Sequence, residues 1–332
     1  MTTKYGMISD LHEDPNVIVP AIEMLKQRGA EKLLVNGDIG GNYGSLENSQ
    51  RYTGFILNQI GKSGLEAYVQ PGSHETVLGY WPGIDFYSKK YPNIIDVTKN
   101  QKAEHADHHL VFLPGSDFLC GGEYSIGNNE TIPTGRYLVA ARRKGLIPVP
   151  HDSIPMYVDA LNQGLATGGF HNFNMRDLKN LVTSPEKTIV VCHVPRKFDN
   201  VEMCVDMAEF GEAFLDFPLN GELVRKNSVF PLPSALKIAE AGYPVAIKKE
   251  NRGNKDLKNL YEELGITKAV SGHFHESSHR AHDSDGNPVP QNTLTTNLFW
   301  NSGHLDNGHT GILTVDGERV SYENMRLDFN KK

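Results

Sequence analysis

The sequence predicts an α/β fold. Three observations carry this: apolar strand-like runs alternate with helix-periodic segments, five of those runs stop abruptly at an acid, hydroxyl or imidazole, and the chain ends in short strands divided by turn signals. In α/β sheets, ligands gather where the carboxyl ends of strands meet. Five run ends of this kind can therefore share one crevice.

The first run is Lys4 to Ile8, closed by Ser9-Asp10-Leu11-His12. Side chains two apart in an extended segment face the same way, so Asp10 and His12 present an oxygen and a nitrogen on one side. Asp14-Pro15 then reads as an N-cap with proline at the first helical position. Ile18, Ile22 and Leu25 follow at helical spacing up to Gly29, with Pro20 moving the helix start later. The run Lys32 to Asn36 ends in Gly37-Asp38, completing a βαβ unit. A glycine-rich loop (40–44), a helix from about Leu46 to Ile60, and a third run closing in Gly72-Ser73-His74-Glu75 come next.

His108 to Leu113 reads as a strand, and Asn174 to Val182 as a helix feeding the run Thr188 to Cys192, which ends at His193. Asp256 to Leu264 is a helix feeding Ala269-Val270-Ser271, followed by Gly272-His273-Phe274-His275. Segments of about 118–173 and 195–254 lose periodicity. Unstructured loops of that length are uncommon in compact domains, so both read as insertions with their own structure in one domain spanning 1–332. At the end of the chain, strands are predicted at 294–301, 311–315 and 319–322, with Asp316-Gly317 as a hairpin turn.

Composition sets outer bounds. The chain has 332 residues, enough for a substantial core, and a net charge of −7, which argues against a general basic surface for a long nucleic acid. No apolar stretch reaches membrane-spanning length and no signal peptide is expected. Cys120, Cys192 and Cys204 are odd in number and widely spaced, which suits reduced thiols and a cytoplasmic location. Nothing in the sequence indicates an oligomeric state.

Asp10-x-His12, Gly37-Asp38, Gly72-Ser73-His74-Glu75, His193 and Gly272-His273-x-His275, in this order, resemble the motif string of the calcineurin-like metallophosphoesterase family. The resemblance spans residues 10 to 275. It implies a four-layer α/β/β/α sandwich of two mixed sheets flanked by helices, with the C-terminal strands completing the second sheet. It also implies a dinuclear phosphatase or phosphodiesterase in which a metal-bridging hydroxide attacks the ester. Asp10, His12 and His275 would hold one ion, His193, His273 and the residue at 73 the other, and Asp38 would bridge both. His74 would assist the leaving group. Mixed carboxylate and imidazole donors suit Mn²⁺ first, and also Fe, Zn²⁺ or Ni²⁺, but not Ca²⁺ or Mg²⁺.

This sequence departs from the family at Ser73, where an asparagine is usual. A hydroxyl is a poorer ligand, so a weaker second ion is expected. The same serine is the one feature favouring an alternative, a binding or scaffold protein on the same framework. Arg196, three residues past His193, is the best candidate for a substrate contact, and Glu13 and Glu75 are candidates to orient imidazole N–H groups. Arg136 and Arg142-Arg143-Lys144 read as a solvated face, with a phosphate clamp as the functional alternative. His105, His108 and His109 read as surface or packing, His279, His282, His304 and His309 as solvent or structure, and Cys192 as a buried strand residue. The expected partner is a small phosphate ester, such as a nucleotide, rather than a nucleic acid or a membrane.

Overall fold

The computed structural model describes residues 2–41, 43–75, 77–116, 135–140, 145–148, 170–173, 178–200 and 202–329. The first sheet is built from β1 (Thr3–Ile8), β2 (Lys32–Asn36), β3 (Glu66–Gln70) and β4 (Ile94–Asp96), which run parallel. Between them lie α1 (Ile18–Gln27), α2 (Leu46–Ser63) and α3 (Val77–Lys90). The second sheet takes β5 (Lys102–Glu104), β6 (His109–Leu113) and, further along, β10 (Thr188–Cys192) and β16 (Lys268–Ser271). The intervening strands β7 (Gly135–Ala140), β8 (Gly145–Pro148) and β9 (Phe170–Phe173) pair among themselves.

Between β10 and β16 the chain makes a small sheet of its own. β11 (Met207–Ala213) is flanked by β14 (Val229–Pro231) and β15 (Val245–Asn251), with a hairpin of β12 (Phe217–Leu219) and β13 (Glu222–Val224). The short α4 (Leu178–Leu181) precedes β10, α5 (Leu232–Glu240) covers one face of the small sheet, and α6 (Lys255–Leu264) leads into β16. The chain closes with β17 (Ala281–His282), β18 (Leu298–Asn301), β19 (His309–Asp316) and β20 (Arg319–Arg326).

Strand order is β20-β19-β1-β2-β3-β4 in one sheet and β17-β18-β16-β10-β6-β5 in the other. Alternation along each strand explains the layers. Tyr5, Met7 and Leu34 of the first sheet pack with Leu110, Phe112, Val191, Val270 and Trp300 of the second. Ile8, Leu33, Val35 and Val69 point the other way, onto α1, α2 and α3. Val111, Val190 and Cys192 meet α4 and α6. Two mixed sheets face to face with helices outside make the predicted α/β/β/α sandwich.

Local signals hold where they are strong. Asp14 Oδ1 accepts from Asn16 N–H at 3.0 Å and caps a short 3₁₀ turn before α1. Pro20 is the third residue of α1, inside the first turn where backbone N–H groups have no helical partner anyway. Ser45 caps α2, and Gly64, at φ +73°, ends it. One expectation is corrected, one helix lacked a sequence signal, and one expected helix is described only in part. The β19–β20 hairpin does not complete the second sheet; it pairs with β1, Thr3 opposite Val315, and closes the open edge of the first sheet. α3 lacks a sequence signal because Gly79, Pro82 and Gly83 interrupt its periodicity. Of the helix expected from 174, the described part is α4, and 174–177 lie outside the described residues. The 195–254 segment contains β11 to β15 and α5.

Candidate metal centre

The loops after β1, β2, β3, β10 and β16 converge at the carboxyl end of the sandwich. Asp10, Asp38 and His273 all sit in the left-handed region, at φ 56°, 54° and 68°. L residues adopt that conformation at a cost, and it clusters at sites whose surroundings hold it in place. Here the surroundings are explicit. Glu75, buried, accepts the backbone N–H of Ile39 at 2.5 Å, Gly72 at 2.7 Å and Asp38 at 3.2 Å. Gly72 is required because a Cβ there would collide with Asp38 Oδ1 and its backbone nitrogen. Glu75 thus fixes the β2 and β3 loops instead of orienting an imidazole. The exposed Glu13 uses its backbone N–H on Asp306.

Both acids are buried and held as ions. Asp10 accepts Ser9 Oγ–H at 2.5 Å and His273 N–H at 3.1 Å. Asp38 accepts the N–H of Ser73 at 2.5 Å, the N–H of His74 at 2.8 Å and the Ser73 hydroxyl at 2.9 Å. Burial alone would push both carboxyls up, but His193 and its imidazole neighbours outweigh it and hold both below the usual carboxylate range. Burial likewise disfavours the charged ring of His193, yet Asp38 and Asp10 raise it to about 10. Burial pushes His273 down to about 3, assisted by His193. Glu75 is pushed up to about 8 by burial and by Asp38.

The imidazoles are aimed by their second nitrogens. His193 Nδ1–H donates to the Asn36 carbonyl at 2.8 Å, turning Nε2 to within 3.0 Å of Asp38. A ring oriented this way is the usual state of a metal-ligating histidine. Nε2 of His12 and of His304 is buried and makes no hydrogen bond, while Nε2 of His193 faces the Asp38 carboxylate. Donor atoms of Asp38, His193 and His273 lie within 4.8 Å of one another, as do those of His12, Asp38 and His74, and those of His12, His275 and His304. His275 Nε2 lies 3.3 Å from Asp10. Ser73 Oγ is 3.3 Å from His273 Nδ1, inside the same group. Buried carboxylates ringed by converging imidazole nitrogens form a donor set that fits divalent cations, with mixed N and O ligation.

All the motif residues therefore meet in one place: Asp10, His12, Asp38, Ser73, His74, His193, His273 and His275. Arg196 is not among them. Its guanidinium is sandwiched 4.2 Å from the Phe198 ring centroid and 4.7 Å from that of Phe299, and it donates to the Ser284 carbonyl at 3.0 Å. Three residues past His193 the chain has left the strand end and bridges to Asn254, so Arg196 locks that segment. Arg142, Arg143 and Lys144 lie outside the described residues; Arg136 lies on β7.

Two residues of the site carry no motif signal. His304 stacks on His275 with ring centroids 3.6 Å apart. Asp306 accepts the backbone N–H groups of His12, Glu13 and Asp14 at 2.8, 2.9 and 3.1 Å, wrapping the loop after β1. Two other late histidines are structural: His282 Nε2 accepts from Val205 N–H at 3.1 Å, and His279 donates to the Thr310 carbonyl at 3.0 Å. No helix among the described residues is long and apolar enough to cross a membrane.

No family model and no curated protein matches the sequence. Among solved structures, a Thermus thermophilus protein aligns over 98% of this chain and 100% of its own, at 10% identity and a TM-score of 0.49. A dimetal phosphatase from Danio rerio aligns over 98% and 99%, at 10% identity and 0.44. A purple acid phosphatase from yellow lupin seeds aligns over 98% of this chain and 52% of its own, at 9% identity and 0.44. Likenesses of this size carry no argument for this chain. What the chain itself shows is a four-layer α/β/β/α sandwich with a buried carboxylate and imidazole cluster at the strand ends.

Proposed function

We propose that the chain is a metal-dependent phosphoesterase, a hydrolase of phosphomonoesters or phosphodiesters that works with two divalent ions, Mn²⁺ foremost. One observation carries the reading: Asp10 and Asp38 are buried among converging imidazole donor atoms, and His12 Nε2 in that cluster is buried without a hydrogen bond. Asp10, His12 and His275 are assigned to one ion, His193, His273 and Ser73 to the other, and Asp38 to both. When bound, such a pair of ions polarises a phosphoryl group and activates a water for in-line displacement.

The protein's own residues supply position and protons. Ser73 and His74 N–H groups fix the Asp38 carboxylate, and the Asn36 carbonyl fixes the His193 ring. His74 is exposed at the mouth and stacks on His12 with centroids 4.2 Å apart, which suits a proton donor or cation facing the leaving group. The small sheet built around β11 braces the loop after β16, where Ala208 and Phe210 pack on Phe274 between the two histidines. It forms a wall beside the site, which favours a small ester such as a nucleotide.

The test is hydrolysis of an aryl phosphate, a bis-aryl phosphate and a nucleotide panel after loading with Mn²⁺, Zn²⁺, Ni²⁺ or Fe²⁺. Metal-dependent turnover of at least one ester, lost in Asp38→Asn, is expected. Silence on every ester with every metal overturns the proposal.

A further inference from the structure

His304 belongs to no motif, yet its position is as heavily determined as that of any residue in the cluster. It follows Gly303, whose φ of +109° turns the chain sharply after β18. The next residues are tied to the loop after β1: Leu305 N–H donates to the Ser9 carbonyl at 3.1 Å and Asp306 N–H to the Asp10 carbonyl at 3.3 Å. The Asp306 carboxylate then gathers three N–H groups of residues 12 to 14. Segments 303–306 and 9–14 are thus tied together by hydrogen bonds.

This clamp carries the His304 ring into the cluster. The ring is 5% exposed, and its Nε2 makes no hydrogen bond; the nearest acidic oxygen, on Asp306, is 3.5 Å away. The donor atoms of His12, His275 and His304 come within 4.8 Å of one another. The Asn307 amide nitrogen Nδ2 lies 3.0 Å from Nδ1, and a half-turn of the amide, which its near-symmetric shape allows, exchanges it for Oδ1. With its oxygen turned to the ring it accepts the Nδ1 proton and leaves the Nε2 lone pair free, the arrangement that prepares an imidazole for a metal.

We infer that His304 is a further ligand of the ion assigned to Asp10, His12 and His275, with Asn307 setting its tautomer. This rests on the phosphoesterase reading only in requiring an ion there. The consequence is an asymmetric pair. One ion gains a third imidazole, and the other has a serine in place of a stronger donor. Three imidazoles favour ions later in the divalent series, such as Co²⁺, Ni²⁺ or Zn²⁺, over Mn²⁺. The His304 side should fill first.

The experiment is metal binding by the full chain, read without turnover. Wild type, His304→Ala, His304→Gln and Asn307→Ala are titrated with Co²⁺ while its visible absorption and stoichiometry are followed. Wild type is expected to bind in two steps. The tighter step should weaken by roughly ten- to a hundredfold in Asn307→Ala, by more in both His304 variants, and change its band shape. Imidazole added to His304→Ala should restore the wild-type spectrum. Far-ultraviolet circular dichroism identifies any variant that fails to fold, and His304→Gln and Asn307→Ala then decide. Two unchanged binding steps and unchanged spectra in the folded variants would overturn the inference and leave the phosphoesterase reading intact. A wild type that binds no Co²⁺ would overturn both.

Discussion

The sandwich holds two histidine clusters at opposite ends of the same strands, and they differ in a way that separates a binding site from a packing solution. At the strand starts, the His108 ring lies between Tyr5, whose hydroxyl is 2.7 Å from Nε2, and Asp107, whose carboxylate is 2.8 Å from Nδ1. His105 stacks on it at 4.6 Å, and nearby Lys32 and Tyr68 share Glu66. Both His108 nitrogens are satisfied and no backbone there is left-handed outside glycine. At the carboxyl ends, one nitrogen of each of His12 and His304 makes no hydrogen bond, and three non-glycine residues hold strained backbone. Histidine content is similar in kind. What differs is whether the protein has finished the hydrogen bonding itself.

The largest effect should follow from breaking the unfinished cluster. Asp38→Asn removes the shared carboxylate, and loss of several kcal/mol of transition-state stabilisation corresponds to a drop of about a thousandfold or more in kcat on an aryl phosphate. The fold should survive, since the substituted amide keeps an oxygen to accept the Ser73 and His74 N–H groups; circular dichroism checks this.

Metal loading should stabilise wild type by about 2.7 kcal/mol at a hundredfold excess over Kd, seen as a raised Tm that a chelator reverses. Asp38→Asn should lose most of that shift. His108→Leu, at the finished cluster, should show the opposite pattern. It leaves the buried Tyr5 hydroxyl without its partner and costs about 1–3 kcal/mol, while activity per folded molecule and the metal-induced shift stay at wild-type levels. Equal loss of metal response in both variants would erase the distinction between the clusters.

Ser73→Asn should strengthen the weaker binding step by about tenfold, or ~1.4 kcal/mol, measured by calorimetric titration. Unaltered affinity would remove the serine from the ligand set.

The last effect is the pH response of the finished cluster. Burial, with Lys32 and His108, holds His105 down to about 4 in the folded chain, against about 6.5 unfolded. The unfolded state therefore binds the extra proton first, so stability is complete above about pH 6.5 and declines as pH falls towards 4. His105→Gln should flatten this part of the Tm profile with a chelator present.

Much of the fold was legible because its signals are local. Apolar runs of strand length, a capping aspartate and a glycine stop locate β1, α1 and β2 without tertiary information, and the motif order locates the five loops that form the cluster. What was not legible depends on approach in space. His304 lies 29 residues past His275 in a loop with no spacing to mark it, and only the pairing of β18 with β16 and of β19 with β1 brings it over the site. The only local cue was Gly303-His304, a glycine and imidazole at a strand end, the pattern that marks His273. Arg196 shows the converse, since nearness in sequence to His193 carried no information about direction once the chain turned. Glu75 reads as an imidazole partner from its position, but a buried carboxylate beside three unpaired backbone N–H groups serves them first.

The central claim is that the unfinished cluster, and not the finished one, holds a pair of ions. Anomalous diffraction from a crystal soaked in Mn²⁺ or Zn²⁺ tests it directly. Two peaks roughly 3.5–4 Å apart are predicted on either side of the Asp38 carboxylate, with no peak beside His105 and His108. An empty cluster around Asp38 under saturating metal would contradict it.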